Sequence, residues 1–179
     1  MLVLCSGCDA VLDLSRPDAV SDASLADPGC PDNFVGHYLF VNEPTSKWRT
    51  AEADCELLSR DAGNGKYVHL AVIGSAQEAV NVQEQLFPDL KVSVGLSDRV
   101  ANTTNMMPDT NRANYLWVTA EAVGLPPWKS DNPNSTSDAP FCGTLDGGEI
   151  DDSGCETEHP YLCECDEFPA DGTRIDPPL

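Results

Sequence analysis

The spacing of apolar and polar positions predicts a helix soon after residue 45. Between residues 45 and 60, apolar residues recur at offsets of 3, 4 and 3, at Trp48, Ala51, Cys55 and Leu58. This spacing places them on one face of a helix. We predict that Thr45 or Ser46 caps this helix and that it runs to about Arg60. Cys55 then points into the core as a structural cysteine.

Shorter patterns predict a second helix and several strands. Ser75-Ala-Gln-Glu78 matches a capping box, so a helix is predicted over residues 76–87. Runs of branched and aromatic residues predict strands at 34–41 (FVGHYLFV), 69–73 (HLAVI), 92–96 (VSVGL) and 115–118 (YLWV). We interpret His69 as a polar residue at a strand edge rather than as a ligand. Residues 98–114 have no apolar period and predict a long surface loop.

The stretch from 128 to 165 has a different composition. It is rich in Asn, Asp, Pro, Ser and Gly, and it contains four of the eight cysteines, at 142, 155, 163 and 165. These polar residues favour loops over long helices or strands. Side-chain oxygens on short loops between covalent links are what a hard cation such as Ca²⁺ requires. We therefore predict a disulfide-stapled loop platform for binding.

Charge and cysteine content narrow the class of protein. The net charge is −20, from 30 acidic and 10 basic residues, which argues against nucleic-acid binding because that requires a basic face. An acidic chain suits cation binding or simply solubility. Eight cysteines without paired C-x₂-C spacing indicate disulfides rather than zinc, and hence an oxidising compartment. Cys163 and Cys165, which have one residue between them, are expected to serve two different bridges.

The chain divides into three parts. The first part, residues 1–29, joins a short start at residues 1–8 to a stretch at 9–29 that is rich in Asp, Ala and Ser and predicts a disordered acidic tether. Residues 30–168 predict one folded domain, and residues 169–179 predict a flexible C-terminal tail. No run of apolar residues is long enough for a transmembrane helix.

The start of the chain resembles a bacterial lipobox, Leu-Cys-Ser-Gly-Cys at residues 4–8. In that interpretation Cys8 is acylated after cleavage, and the true start lies upstream. The alternative is an apolar start whose Cys5 and Cys8 pair with each other or with nothing. The lipobox predicts an extracytoplasmic protein, a cell-envelope lipoprotein or a secreted one, that meets a membrane only through this anchor.

Several short sequence motifs between residues 30 and 168 follow one another in the order that is typical of a known family. Asn134 and Cys142 are eight residues apart, as are Cys155 and Cys163. The fragments are Cys30-Pro31, Trp48-x₂-Ala51-x₃-Cys55, His69-Leu70-Ala71, Ser75-Ala-Gln-Glu78, Val92-Ser-Val-Gly95-Leu96, Trp117-Val118, Trp128, Asn132-Pro133-Asn134, Cys142, Cys155 and Tyr161-Leu-Cys163-Glu164. Over residues 30–168 the chain resembles the C-type lectin-like domain. The resemblance implies an α+β fold of two helices, antiparallel sheets and a long loop region, stapled by disulfides.

The resemblance also implies the disulfide pairing. It assigns Cys55 to Cys163 and Cys142 to Cys155. Long members of the family add a bridge inside the N-terminal hairpin, but His37-Tyr38 stands where a Cys-Tyr would lie. We predict a bridge from Cys30 to Cys165 instead, joining the first and last strands.

In sugar-binding members of the family, Ca²⁺ lies at the long loop. By position, its ligands fall on Asn132 and Asn134, around a proline that is cis in the family, and on Asp151 and Asp152. The intermediate family Glu falls on Pro140, which has no side-chain oxygen, and Asp138 is the nearest substitute. Four side chains and one backbone carbonyl give about five oxygens, which two sugar hydroxyls would raise to about seven. Asn132, Asn134 and Asp151 are the candidate ligand-binding residues.

Three functions have to be compared for a chain with these features. The first is a surface-tethered module that binds a carbohydrate or glycoconjugate, with Ca²⁺ as its cofactor. The second is a metal-free lectin-like domain that recognises a protein or another surface, which Pro140 favours. The third is an enzyme, which is not expected because the chain has no G-x-S-x-G or H-E-x-x-H motif and its histidines are scattered.

Overall fold

The computed structural model describes residues 29–60, 62–63, 65–98, 112, 115–120, 126–134 and 140–175. Cys8 and Asp138 lie outside these residues, as does most of the predicted loop at 98–114. The elements follow one another as β1 (Tyr38–Ser46), α1 (Trp48–Leu58), β2 (Tyr67–Leu70), α2 (Ala76–Leu86), β3 (Val92–Ser97), β4 (Leu116–Trp117), β5 (Phe141–Asp146), β6 (Glu149–Gly154), β7 (His159–Asp166) and α3 (Gly172–Ile175).

The strands of the described residues form one sheet, in the order β1-β7-β3-β5-β6. Strand β7 pairs antiparallel with β1 and β2, and parallel with β3 where Ser93 meets Tyr161. Strands β5 and β6 form a hairpin. Its turn residues Gly147 and Gly148 have φ angles of 66° and 78°, as two-residue hairpin turns require. The predicted α+β class with two main helices is confirmed, although the sheet is mixed rather than wholly antiparallel.

The core lies between the sheet and the two long helices. Trp48 of α1 is buried, and its indole N–H donates a hydrogen bond to the Val94 carbonyl at 2.8 Å. Helix α2 is fixed to the β5–β6 hairpin because the Gln83 side-chain oxygen accepts from the Gly148 N–H at 2.8 Å. The buried face of α1 is the one predicted from the apolar offsets, and it includes Cys55.

Three disulfides join distant parts of the described chain. Cys55 bonds to Cys163 and Cys142 bonds to Cys155, with sequence separations of 108 and 13. A third bridge links Cys30 to Cys165 across 135 positions. The first two are the pairs that the family resemblance implied, the third is the bridge predicted in place of the family's hairpin bridge, and Cys163 and Cys165 serve different bridges.

The predicted boundary between the first strand and the first helix is wrong. Strand β1 begins at Tyr38 and continues to Ser46, which pairs with His159. Neither Thr45 nor Ser46 therefore caps α1; Lys47 stands at that position and makes no side-chain capping bond. The helix starts where the Trp48 N–H donates to the Cys155 carbonyl at 3.1 Å. A tertiary hydrogen bond thus sets the start of this helix.

The prediction that loops dominate residues 128–165 is also wrong. This stretch contains β5, β6 and β7. Its strands are stable because inward-facing Leu145, Ile150 and Leu162 are fully buried, while the polar residues occupy other positions and the turns. By contrast, α2 begins as predicted: the Ser75 hydroxyl accepts from the Glu78 N–H at 3.1 Å.

The chain keeps contact with the domain beyond residue 168. Ala170 forms a bridge with Thr119, and the Asp171 N–H donates to the Val118 carbonyl at 2.7 Å. Helix α3 is a single turn that follows these contacts.

A buried charged group links β2, β7 and α1. His69 is fully buried, not at a polar edge as predicted. Its Nδ1 faces the Leu70 carbonyl at 2.9 Å and its Nε2 faces Asp166 Oδ1 at 3.2 Å. Both partners are acceptors, so both ring nitrogens carry protons and the imidazole is positively charged. Burial lowers the pKa of His69, but Asp166 and Glu164 outweigh it and raise the pKa to about 9.

Two buried acids near His69, like His69 itself, have a raised pKa in the folded protein. Burial raises the pKa of Glu52 to about 7, against the charge of His69. Burial also raises the pKa of Glu164 well above its usual value. The folded protein therefore holds more protons than the unfolded chain at neutral and basic pH, and its free energy of unfolding falls as pH rises.

We expect the melting temperature to fall between about pH 6 and about pH 9.5. The contribution of His69 is complete below 6.5, its usual pKa, and is lost as pH rises through about 9. His69→Gln should cost on the order of 3 kcal/mol at pH 6 and remove the part of the fall that lies near pH 9, while the loss of its charge raises the pKa of Glu52 further. Thermal unfolding followed by circular dichroism measures both effects, with His37→Gln as the histidine control. Equal slopes for His69→Gln and the unmutated protein would contradict this expectation.

Candidate functional site

The predicted site lies where the segment at residues 126–134 runs beside β6. Trp128 forms a parallel bridge with Ile150. The Ile150 N–H donates to the Pro127 carbonyl at 2.7 Å, and the Lys129 N–H donates to the Ile150 carbonyl at 2.8 Å. The Ile150 backbone thus holds the segment against the strand that carries Asp151 and Asp152.

Two further contacts hold the segment in place. The Trp128 ring meets the Tyr115 ring edge-on, with centroids 4.8 Å apart. The Arg112 Nε donates to the Asn132 carbonyl at 2.7 Å, and its Nη2 donates to the Lys129 carbonyl at 3.3 Å. One guanidinium therefore ties together two points of the turn.

Four of the predicted site residues come together at this turn. The peptide bond between Asn132 and Pro133 is cis, as the resemblance suggested. The Asn132 side-chain amide donates to Asp151 Oδ1, and the Asn134 amide donates to Asn132 Oδ1. The Asn134 backbone N–H donates to Asp152 Oδ1 at 3.0 Å. Asn132, Asn134, Asp151 and Asp152 are called the oxygen cluster below.

The oxygen cluster fits a hard cation by its donor chemistry. Carboxylate and amide oxygens are ligands that Ca²⁺ prefers, and a half-turn of either amide would exchange its nitrogen for its oxygen. Within the described residues, however, no three His, Cys, Asp or Glu side chains form a group that could hold a metal. A cation here would therefore depend on the two asparagines. Pro140 is described and offers no side-chain oxygen, while Asp138 lies outside the described residues.

Lysines contact the acidic residues of the hairpin. The Lys91 ammonium lies 2.5 Å from Asp151 Oδ2, and the Lys129 ammonium lies 2.5 Å from Asp146 Oδ2. Burial raises the pKa of Asp151, but the hydrogen bond and charge of Lys91, with the charge of Lys129, outweigh it and keep that pKa below its usual value. Asp151 is therefore ionised at neutral pH.

Sequence reasoning missed Lys91 and Arg112 as parts of this site. Lys91 lies 60 positions before Asp151, and Arg112 lies 20 positions before Asn132. No local pattern links these residues to the turn. The scarcity of basic residues in the chain was the one available indication that each could have a specific partner.

A family comparison identifies the domain. The family described as Lectin C-type domain matches residues 44–165. The chain belongs to this family. Membership agrees with the expectation that the chain is not an enzyme.

Known proteins resemble the chain over most of its length. The C-type lectin BfL-2 of Bungarus fasciatus is 29% identical over 143 residues, which cover 75% of this chain and 79% of the relative. The crystal structure of C-type lectin CEL-I from Cucumaria echinata matches with a TM-score of 0.54 and 19% identity, covering 72% of this chain and 89% of that one.

A third similar protein is the cow C-type carbohydrate-recognition domain of CD23, determined in the presence of a GlcNAc2Man3 oligosaccharide. It matches with a TM-score of 0.53 and 20% identity, covering 72% of this chain and 85% of that one. At these identities the two solved structures establish the fold. The named relatives come from animals and give no support to a bacterial lipoprotein. Acylation of Cys8, which lies outside the described residues, stays a prediction.

Arg112→Gln should loosen the turn without unfolding the domain. A hydrogen bond from a charged donor is worth about 1.5–3 kcal/mol, so amide exchange at residues 129–134 should speed up about tenfold while the melting temperature changes little. Hydrogen exchange followed by mass spectrometry measures this. Arg60→Gln removes the same charge from an exposed position after α1 and should leave the turn unchanged. Equal protection in both variants would mean that Arg112 does not hold the turn.

Proposed function

We propose that the chain is an extracytoplasmic lectin that binds a carbohydrate or glycoconjugate at the oxygen cluster, with Ca²⁺ completing the site. Membership of the lectin family supports the substrate class. The observation that carries the proposal is the convergence of Asn132 and Asn134 with Asp151 and Asp152 around Pro133. These residues come from two segments, so the sheet has to bring them together.

The role of each residue follows from its chemistry. Asp151 and Asp152 supply the two negative charges that a divalent cation needs, and the asparagine carbonyls supply neutral oxygens. The amide N–H groups that remain can donate to sugar hydroxyls. When bound, Ca²⁺ would polarise and orient two hydroxyls of the sugar.

Location and attachment are part of the proposal. Three disulfides among the described residues are typical of oxidising, extracytoplasmic compartments. In the described part of the chain, none of the helices has the length and apolar character needed to span a bilayer. Attachment to a surface would come from the acylation of Cys8 and the tether at residues 9–29.

A metal-free lectin-like domain that recognises a protein surface is the second candidate. Two observations favour it: Pro140 cannot ligate, and the Lys91 ammonium already contacts Asp151. Loss of the cation would leave the turn at residues 126–134 as a recognition surface, held by Arg112 and Ile150.

Glycan-array binding of the full chain, with Ca²⁺ and with chelator, separates the two candidates. We expect binding that chelator abolishes and that Asp152→Asn reduces at least tenfold, because one of two carboxylates is lost. Glu149→Gln is the matched control, since it removes an exposed carboxylate from the same strand. Binding that ignores chelator would support the metal-free candidate and contradict a Ca²⁺ site.

A further inference from the structure

Both oxygens of Asp151 already have partners. Oδ1 accepts from the Asn132 amide, and Oδ2 contacts the Lys91 ammonium at 2.5 Å. The other carboxylate of the cluster, Asp152, accepts a backbone N–H from Asn134 at 3.0 Å. Without a bound cation, the negative charge of Asp151 is therefore compensated from within the chain.

The fold fixes the position of Lys91. It lies directly before β3, whose Ser93 pairs with Thr144 of β5, and Thr144 in turn pairs with Asp151 of β6. The ammonium thus reaches Asp151 across three neighbouring strands. With 10 basic residues for 30 acidic ones, most acids of the chain cannot have a basic partner, so the pairing of this one is selective.

A divalent cation and the Lys91 ammonium compete for Asp151, because like charges on one carboxylate repel each other. The Lys91 side chain is 32% exposed, and its flexible stem allows the ammonium to withdraw into water. We propose that Lys91 is an internal counter-cation of the oxygen cluster, which holds Asp151 until a divalent cation displaces it. This inference rests on the proposed function, since it concerns the same site.

Competition with Lys91 lowers the apparent affinity of the site for Ca²⁺. It places the module among those that respond to the concentrations found outside cells, about 10⁻⁴–10⁻³ M. Lys91 is then a residue that sets the cation threshold of ligand binding, although it is not itself a ligand of the cation.

Lys129 provides a matched control. Its ammonium contacts Asp146 at the same 2.5 Å, and its side chain is 28% exposed. Asp146 is outside the oxygen cluster. Lys129→Gln therefore removes an equal charge beside the same hairpin without freeing a predicted ligand. It reports the weaker effect that a nearby lysine charge has on Asp151 without direct contact, and Lys91→Arg keeps the charge at Asp151.

The test is calorimetric titration of the full chain with CaCl₂. We expect Lys91→Gln to bind Ca²⁺ about 5- to 10-fold more tightly than the unmutated protein, Lys91→Arg to match the unmutated protein, and Lys129→Gln to change the affinity less than about twofold. Without Ca²⁺, Lys91→Gln should also melt at a slightly lower temperature, and added Ca²⁺ should raise its melting temperature more than that of the unmutated protein.

Each outcome separates the inference from the proposed function. Ca²⁺ binding only in Lys91→Gln supports the inference in its strongest form, with Lys91 replacing the metal. Equal affinities in Lys91→Gln and the unmutated protein overturn the role of Lys91 while the Ca²⁺ site stands. Heats no larger than the buffer blank in both proteins overturn the Ca²⁺ site and the inference together.

Discussion

The attachment of strand β7 to the rest of the domain is the constraint on which the structure depends. This strand pairs with β1, β2 and β3, and its Cys163 and Cys165 form bridges to Cys55 and Cys30. If disulfides act by restricting the unfolded chain, closing loops of more than a hundred residues is worth about 5 kcal/mol each. The two bridges hold the ends of the domain together. The strand pairing of β7 sets the register of the sheet on which the helices pack.

The candidate site lies at the edge of that sheet opposite β1, where β6 is the last strand. Strand β3 leads to the β5–β6 hairpin, which the Cys142–Cys155 bridge closes at its open end. The segment at 126–134 then lies against Ile150 and meets the acids of β6. Half of the oxygen cluster therefore sits on a paired strand and half on a turn held by Arg112. The strand gives fixed positions to Asp151 and Asp152, and the turn provides the side chains that can rotate.

Charge is arranged differently in the core and at the site, although the chain is strongly acidic throughout. In the core, the buried cation His69 sits among Glu52, Glu164 and Asp166, and burial raises the pKa of Glu52 and of Glu164. At the site, Lys91 forms an ion pair with Asp151 and Lys129 forms one with Asp146, and the side chains of both pairs are partly exposed to water. In the interior, the raised pKa values of the buried acids limit the negative charge. At the surface, lysine side chains compensate the negative charge instead.

Local sequence determined the features whose interactions span a few residues. The buried face of α1 and the Ser75 cap of α2 were predictable because each depends on contacts within about one turn. The resemblance to lectins, which rests on motif order, supplied two of the three described disulfide pairs and four residues of the candidate site. Tertiary structure alone decided the start of α1, where the Cys155 carbonyl meets Trp48, and the strands within residues 128–165, whose polar residues obscure their pattern. It also decided that Lys91 meets Asp151, because that contact follows from sheet register across 60 positions, which no local spacing encodes.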